Sequence, residues 1–359
     1  LDTKDVYDES YRKARKMDVD NFTTKFDPHA LEIINMVRKG LLEGPNQNTQ
    51  IEAELYKLNV YDEGSFFKAH KDTPRSEKMF ASLIVSFPTS HQGGKLLLRH
   101  DGEEWAFDSA EILSKDKGSA AWVAFYSDIE HEVTPITSGY RLTLTYNLFY
   151  GADTYTPPDL NILNDSHFIF QSSPDISLLR TALISLLQDS RVLPNGGYFG
   201  FGLRFMYPAF GQNEMSSLQN LLTQLKGSAS LLKQVCDSLS LSTTLEVFVE
   251  EDDIQMLVPA TLDLSDSMVD SGLYQFLSEF GGRRVNNREK EPGSDDEETI
   301  MWVTPPTAFP TYDTTYVAYG NDASVSHLYG DVCLVAEVGP FERRETAGAL
   351  SSRRKTHWF

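Results

Sequence analysis

Cysteine is almost missing from this chain: among 359 residues only Cys236 and Cys333 carry a thiol. Two thiols cannot build the disulfide framework of a small secreted fold; the pattern suits a reducing compartment, where both read as small buried hydrophobes. Long apolar runs are missing as well, so no membrane-spanning helix is expected. The opening residues Leu1-Asp2-Thr3-Lys4 show no hydrophobic leader, and the expected location is cytoplasmic or nuclear. Basic residues are outnumbered, with 32 Lys and Arg against 52 Asp and Glu, for a formal charge of −20. Neutralising a nucleic-acid backbone needs clustered cations, so a nucleic-acid partner is disfavoured. Part of the acidity is local: Glu289 to Thr299 has the composition of a solvated, mobile loop, dispensable for chemistry.

What is present suffices for one large domain or two ordinary ones, at 40% hydrophobic and 11% aromatic residues. Residues 1–50 read as a helical buttress, with a helix over 28–42 that starts at Pro28 and sets Leu31, Ile34 and Leu41 at helical intervals. Residues 51–150 change to short β segments at 52–61, 65–71, 79–87, 94–100, 119–126, 131–135 and 140–149, divided by turns such as Asp62-Glu63-Gly64. Trp105, Trp122, Phe125 and Tyr126 read as core residues of this region. Residues 151–359 read as an α+β extension packing on that core. Amphipathic helices are expected near 176–187 and 218–225, the second resuming from 231, and a glycine-rich strand or tight loop at 197–207. Two late β-like runs, 315–319 and 331–336, are too few for a sheet of their own and are expected to rejoin the first one. The fold class is therefore mainly β with helices. Its core is a double-stranded β-helix, a jelly-roll relative, with N-terminal buttressing helices and a helix-containing C-terminal extension.

Chemistry concentrates in three residues. His70 and Asp72 form an H-x-D pair, and in a strand residues i and i+2 point to one face, so the two can grip a single ion. His131 follows, on a segment that must fold back beside them. Two imidazoles and one carboxylate make the facial triad that holds non-haem Fe(II) with positions left for a co-substrate and O2. Arg141 opens the strand Leu142-Thr143-Leu144-Thr145-Tyr146, whose alternation leaves Arg141, Thr143 and Thr145 on a polar face. A fixed guanidinium fork there suits the far carboxylate of a dicarboxylate whose other end chelates the metal, which points to 2-oxoglutarate. Lys57, Asn59 and Tyr61 share a face of the opening strand and could line a substrate end, as could Arg75. His29, His91, His100, His167, His327 and His357 lack a partner at ligand spacing and read as surface or cap residues.

The run from Tyr61 to Asp72, the Gly93-Gly94-Lys95-Leu96 turn and the block from His131 to Arg141 together resemble the prolyl-4-hydroxylase-like branch of the Fe(II)/2-oxoglutarate-dependent dioxygenases, in particular its large fungal and bacterial members. The resemblance covers roughly residues 50 to 150. It implies that His70, Asp72 and His131 bind iron, that Arg141 pairs with the distal carboxylate of 2-oxoglutarate, and that ascorbate stimulates turnover. One position departs from the family. Where many prolyl hydroxylases carry a second carboxylate-binding tyrosine this chain has Ser86, so Tyr61 or Thr143 could supply the second donor instead.

The resemblance implies oxidative decarboxylation of 2-oxoglutarate coupled to C–H oxidation, hydroxylation by default. Three readings of the partner stand beside each other: a peptidyl residue such as proline; a free amino acid or small metabolite, open to hydroxylation, desaturation or cyclisation; and a non-catalytic interaction protein. A deep enclosed pocket would favour the metabolite, and an open groove beside Lys57 and Tyr61 a peptide. The oligomeric state is left open.

Overall fold

The alternating pattern of the first half becomes two sheets in the computed structural model, which describes residues 10–76, 78–115, 119–154, 176–210, 218–251, 254–260, 273–286, 297–306, 327–330 and 332–344. The chain divides into two compact units, residues 1–172 with 313–329, and 173–312 with 330–359.

In chain order the first unit contains β1 (Arg12–Lys13), β2 (Arg15–Asp18), α1 (Ile33–Leu41), β3 (Thr49–Tyr61), β4 (Phe66–His70), β5 (Met79–Ser86), β6 (His91–Gly93), β7 (Leu96–His100), β8 (Glu103–Phe107), α2 (Ser109–Lys115), β9 (Ala121–Tyr126), β10 (Glu130–Val133), β11 (Ile136–Gly139) and β12 (Arg141–Thr154). One sheet runs β2-β3-β12-β5-β9 and the other β1-β4-β10-β7-β8, with β6 and β11 as a short ribbon. Because β3, β5, β9 and β12 alternate in sequence with β4, β7 and β10, the chain winds from one sheet to the other and back. That winding is the double-stranded β-helix. Strands β8 and β11 carried no reading in the sequence, β6 was expected as a turn, and β1 and β2 stand as strands within the stretch expected to be a helical buttress.

Each face of the first sheet has its own chemistry. On β12, Leu144, Tyr146 and Leu148 are buried on one face. On the other face Arg141, Thr143 and Thr145 lie beside Tyr61, Asn59 and Lys57 of β3, and Ser86 and Ile84 of β5 lie beside Thr143 and Thr145. Helix α1 buries Ile33, Ile34, Val37 and Leu41 at the three-and-four spacing of a one-sided helix, and the Tyr126 hydroxyl donates to the Leu41 carbonyl. Burial of such aliphatic side chains contributes about 1.5 to 3 kcal/mol each. The helix starts later than its pattern suggested. Asp27 accepts bonds from the backbone of His29 and Ala30 at 2.9 and 3.3 Å, so residues 28–32 form a separate turn and Leu31 is 53% exposed.

The second half contributes α3 (Ile176–Gln188), β13 (Gly197–Gly202), β14 (Tyr207–Phe210), α4 (Gly227–Ser238), β15 (Thr243–Glu251), β16 (Ile254–Val258), α5 (Leu273–Glu279), β17 (Arg283–Asn286), β18 (Glu297–Thr304), β19 (His327–Gly330) and β20 (Cys333–Val338). Strands β13-β18-β17-β16-β15-β20 close into a barrel. Its core joins Phe248, Leu257, Val285, Ile300, Cys333 and Val335, with Tyr198 and Trp302 packed against them. Gly200 permits this packing, since a Cβ there would lie 2.5 Å from the Trp302 ring. Cys236 and Cys333 are both buried, and burial pushes the Cys236 thiol up to about 12.

Two expectations are corrected here. The late run at 331–336 does not rejoin the first sheet: β20 pairs with β13 and β15. The strands that make this possible, β15 to β18, escaped the sequence reading because β15 and β16 bury consecutive positions without alternation and β17 and β18 bury only Val285 and Ile300. The other late run, 315–319, lies outside the described residues. The acidic segment also ends earlier than composition suggested. Glu297, Glu298 and Thr299 belong to β18, where Glu297 pairs with Arg284 at 3.1 Å and Glu298 with Arg283 at 2.8 Å. Local charge does not prevent a strand whose carboxylates each meet a guanidinium on the next strand. The rest of that segment, 289–296, lies outside the described residues. No helix among the described residues is long and apolar enough to cross a membrane.

Candidate metal centre and co-substrate pocket

His70 ends β4 and His131 lies on β10, and the two are direct partners across an antiparallel pair. Directly opposed residues project to the same face, so the rings meet with centroids 4.1 Å apart. Asp72 lies just past the end of β4, where its backbone N–H donates to the Ser127 carbonyl at 3.1 Å. The side chain is thereby turned to the same point: Asp72 Oδ1 is 3.7 Å from His131 Nε2, and one ligand atom from each of the three residues lies within 4.8 Å of the others. The donor set is two imidazole nitrogens and one carboxylate oxygen, the set that suits non-haem Fe(II).

The surroundings prepare each ligand. A carbonyl oxygen can only accept, so His70 Nδ1–H donates to Lys68 O at 2.8 Å and His131 Nδ1–H donates to Ile129 O at 3.0 Å. In both rings Nε2 therefore keeps its lone pair for a metal. Burial, reinforced by His131, holds His70 well below the ordinary imidazole range and keeps it neutral. Ser82 on β5 donates its hydroxyl to Asp72 Oδ2. Phe67 stacks on His70 at 3.6 Å and Phe125 lies 4.9 Å from His131, so aromatic rings wall the site.

The second cluster lies around Arg141, which is 1% exposed. Its strand partner is Tyr61, whose ring is 5.4 Å from the guanidinium carbon, and Nε donates to Ser109 Oγ at 3.3 Å. Arg141 Nη2 is buried with no protein partner, and so is Ser86 Oγ nearby. Thr143 is buried between them in register with Ser86. A buried guanidinium that meets no carboxylate among the described residues is held at a desolvation penalty, which lowers its pKa and which an anion relieves. These unsatisfied donors fit the distal carboxylate of 2-oxoglutarate. The double glycine makes room for the arginine. Gly94 has φ +68°, and a Cβ there would lie 2.2 Å from Ile136 Cδ1 and 3.1 Å from Arg141 Cδ.

The structure thus brings His70, Asp72 and His131 to one point and Tyr61, Ser86, Thr143 and Arg141 to another. Lys57 and Asn59 are buried on the same sheet face. Lys57 lies over the Tyr56 ring at 4.3 Å, while Asn59 accepts from Arg12 at 2.7 Å and donates to Thr145 at 3.2 Å. Arg75 is held by the Tyr56 hydroxyl and lies over that ring at 4.8 Å. His29 is exposed and His100 half-buried; His167 and His357 lie outside the described residues. His91 is a correction: expected as a surface or cap residue, it is 8% exposed and bonded to Ser109 Oγ at 3.2 Å. Its neighbour Ser109, like Ser82, carried no sequence reading. The available signal for Ser82 was its alternation with Ser86 on an otherwise apolar strand; for His91 it was its place two residues before the double glycine.

Residues 56–149 match the 2OG-Fe(II) oxygenase superfamily. Among solved structures the chain is similar to a prolyl-4-hydroxylase from Pseudomonas putida, at 21% identity over 40% of this chain and 76% of that one, with a TM-score of 0.27. It is also similar to a viral collagen prolyl hydroxylase from Paramecium bursaria Chlorella virus-1, at 11% identity over 39% of this chain and 81% of that one, with a TM-score of 0.28. A third is a prolyl hydroxylase from Trichoplax adhaerens, at 19% identity over 29% and 47%, with a TM-score of 0.22. No curated protein matches the chain in sequence. Residues 56–149 are a 2OG-Fe(II) oxygenase domain, and the enzyme is an Fe(II)- and 2-oxoglutarate-dependent dioxygenase that uses O2.

Proposed function

We propose that this dioxygenase hydroxylates a peptidyl residue such as proline, with His70, Asp72 and His131 as iron ligands and Arg141 as the anchor of 2-oxoglutarate. The observation that carries the site assignment is the pairing of a His-Asp-His cluster with a buried guanidinium that meets no anion. Bound there, Fe(II) with 2-oxoglutarate and O2 supplies the oxidising power for a C–H bond, and the co-substrate leaves as succinate and CO2. The chain's own residues hold and shield. The two Nδ1–H bonds aim both Nε2 lone pairs, Ser82 orients Asp72, Arg141 with Ser86, Thr143 or Tyr61 fixes the distal carboxylate, and Phe67 and Phe125 exclude water.

A peptide is favoured by the sheet edge beside the metal cluster. Strand β4 carries His70, and among the described residues only the two-residue β1 lies beyond it in the sheet, with the Tyr11 ring 6.4 Å from His70. An extended chain can use main-chain bonds at such an edge. The second reading, a free amino acid or small metabolite, is supported by Arg12, which lies over Phe67 at 4.7 Å and puts a cation near His70 where a substrate carboxylate could pair. Succinate formation screened across proline-containing peptides and free amino acids tests both. Turnover coupled to a peptide supports the first reading, and turnover coupled only to a free acid replaces it with the second.

A further inference from the structure

Behind Arg141 runs a chain of hydrogen bonds whose directions are all determined. His91 Nδ1 lies 2.9 Å from the Thr89 carbonyl, which can only accept, so Nδ1 carries a proton, and in the neutral ring that burial favours Nε2 is an acceptor. Nε2 lies 3.2 Å from Ser109 Oγ, so the serine O–H donates to it. The Ser109 oxygen then has lone pairs to spare, and accepts from Arg141 Nε at 3.3 Å. The sequence of donors is Arg141 to Ser109 to His91 to the backbone. All three side chains are buried.

Each member is fixed by its own element. His91 sits on β6, in register with Gly139 of β11. Ser109 is the first residue of α2, placed by Asp108, which caps that turn at the Glu111 amide at 3.1 Å and is held by Lys95 at 3.1 Å. Arg141 passes Gly94, where a Cβ would lie 3.1 Å from its Cδ, and is directly opposed to Tyr61 on β3. A guanidinium is planar, so fixing Nε in one direction also fixes where Nη2 points. Nη2 is the donor left without a protein partner.

We propose that His91 and Ser109 are positioning residues for 2-oxoglutarate: they lock the Arg141 guanidinium in the orientation that presents Nη2 to the distal carboxylate. The proposal rests on the reading that Arg141 holds that carboxylate. Neither residue touches the co-substrate; both act through the arginine. The relay needs a hydroxyl at 109 and an acceptor at 91.

The test measures binding to the Mn(II)-loaded protein by calorimetry, without turnover. Two ligands are compared: 2-oxoglutarate, and oxalate, which chelates a metal in the same way and has no distal carboxylate. His91→Phe keeps a ring of similar size and removes the acceptor; Ser109→Ala removes the hydroxyl. Each is expected to weaken 2-oxoglutarate by about tenfold, the lower end for loss of an outer-shell partner, and to leave oxalate and Mn(II) unchanged. The double variant should be no weaker than either single one, and Ser109→Thr should restore binding. Unchanged 2-oxoglutarate affinity in a folded His91→Phe or Ser109→Ala protein overturns the relay, as does equal weakening of oxalate. Unchanged affinity in Arg141→Leu overturns instead the underlying reading of Arg141.

Discussion

Ser82 donates to Asp72 Oδ2 from the opposite sheet, which ties the residue after β4 to β5 and leaves Oδ1 facing His131 at 3.7 Å. The bond occupies one carboxylate oxygen and leaves the other for the metal that we propose binds there. A serine on one sheet therefore sets the geometry of a metal cluster built on the other.

Replacing Ser82 by Ala should lower Fe(II) or Mn(II) affinity by roughly tenfold, as loss of an outer-shell partner does. His131→Ala should abolish stoichiometric binding. Elemental analysis of the purified variants checks both, and full metal occupancy in His131→Ala would remove that residue from the ligand set.

Arg141→Leu should weaken 2-oxoglutarate by about 2 to 3 kcal/mol, roughly 30- to 150-fold, the scale of a lost charge-assisted bond. Leucine also relieves the desolvation of a buried charge, so the folded protein should be no less stable without ligand. The paired measurement is co-substrate affinity against thermal unfolding of the unliganded protein.

Acid should destabilise the metal-free protein. Burial, and then His131, hold His70 below its ordinary value; burial, and to a smaller degree the Arg141 charge, do the same for His91 against the opposing pull of Asp108. Both histidines bind protons more readily in the unfolded chain, so their contribution is complete above about pH 6.5 and is lost as pH falls through the folded values. The midpoint of thermal unfolding should therefore drop between pH 7 and 5, and His91→Gln should flatten part of that slope. A pH-independent midpoint over this range contradicts the assignment of both rings as neutral.

In the second barrel Glu246 is 1% exposed and accepts from Arg283 at 2.7 Å and Thr244 at 2.7 Å. Arg283→Leu would leave that carboxylate buried without its cation, and should destabilise the protein by about 3 kcal/mol in urea unfolding. Replacing both residues by Leu should recover most of the loss, because it is the orphaned charge that destabilises. A double variant as unstable as the single one would point to packing instead.

Much of the first unit is legible in sequence because its signals are local. The alternation of Arg141, Thr143 and Thr145 against Leu142, Leu144 and Tyr146 defines both the strand and its two faces, and the H-x-D spacing defines a shared side. The second barrel is less legible: β15 and β16 bury consecutive residues, so period-two alternation fades, β17 and β18 bury one residue each, and these two form a parallel pair whose partners no hairpin signal announces.

The amino-acid order alone determined which residue types could chelate a metal and which arginine could meet a dicarboxylate, since those follow from donor chemistry and strand periodicity. Only the tertiary structure decided which residues stand behind them. His91, Ser109 and Ser82 reach Arg141 and Asp72 from β6, α2 and β5, different elements whose bonded partners are 10 to 32 residues apart and which the winding of the double-stranded β-helix brings together. Hydrogen bonds between segments so separated depend on how sheets pack, and packing leaves no periodic trace in the sequence.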